Sequence, residues 1–260
     1  MTPAALGNEF SASQKPYIFI HGRFLTPFYA FLVLFLFTLF DIIIASKLLA
    51  VKGKEVKQMK KIITPISYYD SKITDGFWKL RTELNRKVTA KAVYDRFYET
   101  GRIGAFKFDW KEGQDKQPHF YWDSDVAKWI EGVAYLTKQS SEPELEALAD
   151  EIIDDVVKNQ GEDGYFNIYF TVVDPTKRFA DRDKHELYCA GHLFEAAVAY
   201  YEATGKRKLL DAMCKYADYI EKCFVIEKSA KFITPGHPEI ELALVKLYEI
   251  TGEKRYLKLS

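Results

Sequence analysis

Cysteine is scarce in this chain: Cys189, Cys214 and Cys223 are the three among 260 residues, widely spaced and with no Cys-x-x-Cys pair. An odd, scattered set of this kind excludes a disulfide framework and reads as reduced thiols. A surplus of either charge is missing too, because 37 Lys and Arg balance 37 Asp and Glu. With no basic excess to neutralise phosphates, a nucleic-acid partner is excluded. Long apolar runs are confined to one place near the N-terminus, and everything after Met59 has a globular composition. What is plentiful is core material: 48% hydrophobic and 15% aromatic residues suffice for one sizeable core or two small ones.

The apolar run is Phe24 to Ala45, 22 residues whose clear interruptions are Thr26, Pro27, Thr38 and Asp41. That is the length needed to cross a bilayer, so an N-terminal transmembrane helix is expected over residues 24–45. The run is too long for a signal peptide, and no small-residue cleavage site follows it. Lys47, Lys52, Lys54, Lys57, Lys60 and Lys61 follow the run against Glu55 alone, and the positive-inside rule then leaves the C-terminal part in the cytoplasm. A second explanation starts from Met59-Lys60-Lys61-Ile62-Ile63, which looks like an ordinary protein start. Residues 1–58 are then an upstream extension of the reading frame, and the product is cytoplasmic. Both explanations divide the chain into 1–58, an extension carrying the apolar span, and 59–260, the globular part.

From Ile62 onward the apolar residues recur at helical spacing. Helices are expected from Leu80 to about Glu99, from an Asp or Ser cap in Trp122-Asp123-Ser124-Asp125 to Lys138, and from Glu142-Pro143 to Val157. Further helices follow over His185 to Ala203, Lys206 to Phe224 and Glu239 to Ile250, and another begins at Glu253. Ile103 to Tyr121 reads as an ordered aromatic loop, and Ile168 to Val173 as a short β-prone run. Thr204-Gly205-Lys206-Arg207 returns as Thr251-Gly252-Glu253-Lys254, an offset of 47 residues. A period of this size with two helices per unit predicts an all-α array of helical hairpins that closes into a ring or stacks into a solenoid.

One stripe carries chemistry. His185, Cys189 and His192 fall at i, i+4 and i+7 of the expected helix, along one line of its surface. Three readings stand: a zinc site related to the His-Glu-x-x-His pattern but with Cys at position 189, a pocket in which His185 bonds a polar ligand, and a core stripe in which Cys189 and His192 are simply buried. Asn159 to Asn167 forms a polar turn with two glycines, in which Asp163 and Asn167 are candidate ligand contacts if it is more than a connector.

Four motifs together resemble glycoside hydrolase family 127, the β-L-arabinofuranosidase family. They are Asp123-Ser124-Asp125-Val126-Ala127-Lys128-Trp129-Ile130-Glu131, Gln160 with Asp163-Gly164-Tyr165, His185-Glu186-Leu187-Tyr188-Cys189-Ala190-Gly191-His192, and Pro235-Gly236-His237-Pro238-Glu239-Ile240-Glu241-Leu242-Ala243-Leu244. The resemblance covers about Ile62 to Ser260 and implies an (α/α)6 barrel that removes terminal β-L-arabinofuranose with retention, followed in complete members by β-sandwich domains. It implies a carbohydrate substrate, a zinc-bound cysteine nucleophile, a glutamate acid/base, and histidines matching His185 and His237 that bond the sugar hydroxyls. It also implies that the acid/base glutamate, the zinc-binding glutamate and a Cys-Cys pair lie well beyond the Pro-Gly-His motif; no Cys-Cys pair occurs in this chain.

The expectation is therefore an incomplete (α/α)6 barrel lacking its C-terminal half, with substrate-binding residues His185, His237, Asp163 and Asn167, no catalytic residue and no metal of its own, zinc belonging to the complete domain. The rival from another class is a membrane-anchored helical module that binds a carbohydrate or protein without chemistry. A third is a different sugar-processing (α/α) enzyme using carboxylates such as Asp125 or Asp163, whose activity would survive a zinc chelator.

Overall fold

The computed structural model describes Phe19–Ile20, Arg23–Phe24, residues 66–67 and residues 70–260. The chain divides into two units, Met1–Pro65 and Ile66–Ser260. In the first, β1 (Phe19–Ile20) pairs antiparallel with β2 (Arg23–Phe24), Phe19 opposite Phe24 and Ile20 opposite Arg23. The transmembrane helix expected over 24–45 is corrected. Its first residue, Phe24, lies in strand β2, residues 25–45 lie outside the described residues, and among the described residues no helix is long and apolar enough to cross a membrane. Hydropathy and length alone carried that expectation, and aromatic and β-branched residues suit a strand as readily as a helix.

The described residues of the second unit are helical, consistent with an all-α fold built from hairpins. The first helix starts earlier than its apolar spacing predicts, because the Asp75 carboxylate accepts from the Gly76 N–H at 2.6 Å and opens α1 (Gly76–Leu84). A π turn at Asn85–Thr89 carries it into α2 (Ala90–Glu99). Three hairpins follow: α3 (Trp122–Gln139) with α4 (Pro143–Asn159), α6 (Glu186–Thr204) with α7 (Lys208–Glu221), and α8 (Glu239–Thr251) with α9 (Lys254–Leu259). Between the first two lies a single turn, α5 (Tyr169–Val172).

The first helix of each hairpin packs against the first helix of the next, and the side-chain contacts show that they run the same way. Phe120, just before α3, stacks on His185, just before α6, while Lys138 at the far end of α3 donates to the Glu202 carbonyl at the far end of α6. His185 likewise meets His237 at the start of α8. The second helices form an outer layer, in which Arg255 and Tyr256 of α9 bond Asp218 of α7. Helix α6 sits between α3 and α8 and is backed by α7, so it is buried on nearly all sides and rich in small residues, among them Ala190, Gly191, Ala196 and Ala197. A helix hydrophobic all round is what such a central place demands.

The internal echo is an identical cap. Gly205 and Gly252 end α6 and α8 in the left-handed region, at φ 77° and 76°. Thr204 bonds back to the Tyr200 carbonyl and accepts from the Lys206 N–H, and Thr251 does the same with Leu247 and Glu253.

Two local expectations fail for one reason. Residues 168–173 form the helical turn α5, not a strand, because Asn167 Oδ1 accepts from the Phe170 N–H at 2.9 Å and Asp123 Oδ2 accepts from the Ile168 N–H at 2.9 Å. Asp123 therefore does not cap α3, whose preceding residue, Tyr121, makes no side-chain cap bond. Long-range partners override local propensity here. Gln160 ties the same region down, donating to the Gly164 carbonyl at 2.7 Å and the Ala212 carbonyl at 2.8 Å. Gln160→Ala leaves both carbonyls to water and should lower the stability by about 1 kcal/mol in urea unfolding.

Candidate functional site

The parallel run of α3, α6 and α8 brings three loop ends together at their N-terminal edge. His185 occupies the N-cap of α6 with φ 62°, ψ 14°, a left-handed conformation that histidine adopts more readily than most side chains. Its Nδ1 lies 2.9 Å from the Asp183 carbonyl, so in the neutral ring the proton sits on Nδ1 and Nε2 keeps a lone pair. His237 Nε2 is 3.2 Å from that lone pair and must be the donor of the pair. Two chain segments 52 residues apart thus present one N–H and one lone pair side by side.

Around them stands an aromatic wall. Tyr188 meets both rings, with centroids 5.5 Å from His185 and 5.1 Å from His237, and Phe120 packs on His185 at 5.4 Å. Lys128 of α3 donates to the Tyr188 hydroxyl at 2.9 Å and fixes its angle. Tyr169 of α5 backs Phe120 at 6.1 Å.

The frame beneath is held by two buried acids. Glu186 is 1% exposed; its two oxygens accept from the Tyr165 hydroxyl and, at 2.6 Å, from the Phe179 N–H. Burial pushes its pKa up to about 7, against the lowering effect of those two donors. Asp123 is fully buried, and burial likewise pushes it up to about 7 despite the Ile168 N–H. Glu186 docks the 163–165 loop and Phe179 onto the first turn of α6, and Asp123 docks α5 onto α3.

Of the four residues expected to meet substrate, the structure brings His185 and His237 together. Asp163 is engaged in its own loop: it accepts from the Tyr165 N–H at 3.0 Å and pairs with Arg178 at 3.4 Å. Asn167 is 0% exposed and spends its Oδ1 on the Phe170 N–H, behind the aromatic wall. Sequence reasoning missed Tyr188, Phe120 and Lys128. Tyr188 was within reach, since it falls, like Cys189, one turn from both His185 and His192.

The zinc site imagined on the His185, Cys189 and His192 stripe does not form. His185 lies outside the helix proper, and Cys189 is buried with its thiol toward the Phe120 carbonyl at 3.4 Å. Burial pushes the Cys189 thiol well up, and Cys214 up as well. Among the described residues no cysteine stands within reach of two other potential ligands, so the zinc implied for a complete domain does not fit the cysteines of this chain.

Comparison with known proteins gives a consistent result. Residues 70–260 match the model of the β-L-arabinofuranosidase GH127 catalytic domain. A non-reducing end β-L-arabinofuranosidase of Bifidobacterium longum subsp. longum is 44% identical over 145 residues, which are 53% of this chain and 22% of that protein. Among solved structures, a GH127 β-L-arabinofuranosidase from Geobacillus stearothermophilus T6 is similar with a TM-score of 0.67 and 45% identity, covering 72% of this chain and 31% of that one. A second GH127 β-arabinofuranosidase has a TM-score of 0.68 at 34% identity, over 75% of this chain and 32% of its own. The chain thus spans about a third or less of the length of these relatives.

Proposed function

Because the chain belongs to the β-L-arabinofuranosidase GH127 catalytic-domain family, matched over residues 70–260, we propose that it carries the sugar-recognition edge of such a domain and binds a terminal β-L-arabinofuranoside. The observation that supports this most is the His185–His237 pair, a donor and an acceptor 3.2 Å apart at the mouth of two parallel helices. A hydroxyl is both donor and acceptor, so a sugar hydroxyl donates to His185 Nε2 and accepts from His237 Nε2–H, replacing the contact the two rings make with each other. Tyr188 and Phe120 give the apolar wall against which a furanose ring packs. Asp163 and Asn167 act behind this surface by shaping the loop. The family resemblance implies an acid/base glutamate and a nucleophile beyond the Pro-Gly-His motif, and the role assigned here to His185 and His237 is recognition.

Titration of the purified chain with methyl β-L-arabinofuranoside, followed by calorimetry and by NMR of the histidine rings, tests this. His237→Ala and His185→Ala should each weaken binding by about tenfold or more, the loss of one hydrogen bond and its geometry, whereas Asp163→Asn should change it less than about twofold. Equal binding by the wild type and His237→Ala would reject the site. Release of L-arabinose by this chain would reject its restriction to recognition.

A further inference from the structure

A second polar cluster lies further along α6, about two turns from His185, and plays no part in the reading above. Glu131 on α3, with His192 and Glu195 on α6, each offer a ligand atom, all within 4.8 Å of one another. Glu239, from the first turn of α8, brings its Oε1 to 3.2 Å from His192 Nδ1. His192 Nδ1 also lies 3.8 Å from Glu195 Oε2. Yet His192 Nδ1 and Glu239 Oε1 are both buried atoms with no hydrogen-bond partner, so the contact is close in distance but has the angle of no hydrogen bond. Two electron-rich atoms held face to face away from water leave room for a positive centre between them.

Three carboxyl groups face one ammonium, Lys246, which pairs with Glu195 through Oε1 and leaves Oε2 toward His192. One Glu131 oxygen is taken by the Tyr135 hydroxyl at 2.9 Å, which leaves the other. A cavity of about 230 Å³ lined by Glu195, Glu202, Glu249 and Lys246 opens beside Glu195.

We propose that Glu131, His192 and Glu195, with Glu239 beside them, bind a divalent first-row transition ion of the zinc class and so tie α3, α6 and α8 together beneath the sugar-facing edge. One imidazole with two or three carboxylates is a nitrogen and oxygen donor set suited to zinc, and the imidazole disfavours magnesium or calcium. The site contains no cysteine. Because it sits against Tyr188, whose ring lies 4.5 Å from that of His192, its occupancy also steadies the wall of the sugar site.

The test uses the full chain, stripped with a chelator and titrated with ZnCl2 by calorimetry. One ion per chain should bind, with MgCl2 giving no heat. Glu131→Gln and His192→Ala should weaken zinc at least about tenfold. His237→Ala and the triple Cys→Ser variant at 189, 214 and 223 should leave it unchanged, which separates this site from the histidine pair and the thiols. In the wild type, the His192 ring nitrogens should shift in NMR on zinc addition, a readout that needs no variant to fold. Cobalt substitution should give no thiolate charge-transfer band. Absence of zinc binding, an unmoved His192, or binding lost with the thiols or with His237 would each overturn the proposal. None of these readouts depends on sugar binding, so the two readings fail separately.

Discussion

Gly191→Ala is expected to destabilise the second unit by about 2 kcal/mol and to weaken sugar binding more than its stability cost alone explains. Gly191 lies on α6 where that helix meets the start of α8. A methyl group there would come 2.7 Å from Glu239 Cγ, 2.9 Å from the Ile240 nitrogen and 3.0 Å from the Glu239 carbonyl carbon. The first neighbour could swing away, but the other two are backbone. Overpacking of this kind costs about 1 to 3 kcal/mol and sometimes more, and alanine returns about 1 kcal/mol of helix propensity. The clash is relieved by pushing the start of α8 outward, which carries His237 away from His185. Gly132→Ala on α3 is the control: nothing lies within 4 Å of its added methyl, and propensity alone should raise stability by about 0.5 to 1 kcal/mol. Urea unfolding and arabinofuranoside titration of both variants check this. If Gly191→Ala bound sugar as the wild type does, the close approach of α6 and α8 would not be what sets the histidine pair.

Why the structure brings His185 and His237 together, and engages Asp163 and Asn167 with other partners, follows from where each kind of information lies. The two histidines stand at helix starts, and helix starts are readable: Gly205 and Gly252 stop their helices where the sequence says so, and Pro143 opens α4. Once the hairpin step is known, residues 185 and 237 occupy equivalent corners. Asp163 and Asn167 looked equally polar and equally placed in loops, but Asp163 is engaged by Arg178, fifteen residues on, and Asn167 spends its oxygen on the local turn it opens with the Phe170 N–H. The same holds for Asp123, which reads as a helix cap and is instead clamped to Ile168, 45 residues away. Phe120 and Lys128 joined the site through contacts across 60 residues or more with His185 and Tyr188, and periodicity carries no trace of such contacts. The apolar run misled for the opposite reason, since composition was its sole evidence.

Between pH 6.5 and 8.5 the second unit should lose about 2 kcal/mol of stability, the reverse of what buried salt-bridged carboxylates produce. The cause is the pair of buried acids that hold the frame of the site. Glu186 and Asp123 both have pKa values of about 7 in the folded chain, raised by burial from 4.5 and 3.8. The folded state therefore binds more protons than the unfolded one across this range, and stability falls as pH rises. Their contribution is fully present below the unfolded values and is lost as pH passes through 7. His192, held down to about 4 from 6.5, works against them, because its charging favours unfolding in acid; above its unfolded value that effect is spent. Two acids outweigh one imidazole below pH 6.5, and above it Glu239, raised to about 8 by burial and by Glu195 beside it, adds to their loss. Glutamine at position 186 can still accept from the Phe179 N–H and cannot ionise, so Glu186→Gln should remove about 1 kcal/mol of the decline. Urea unfolding at the two pH values, with and without this substitution, gives the answer directly. A wild-type stability that is flat or rising over this interval would mean that Glu186 and Asp123 ionise in place without strain, and that water reaches the floor of the site.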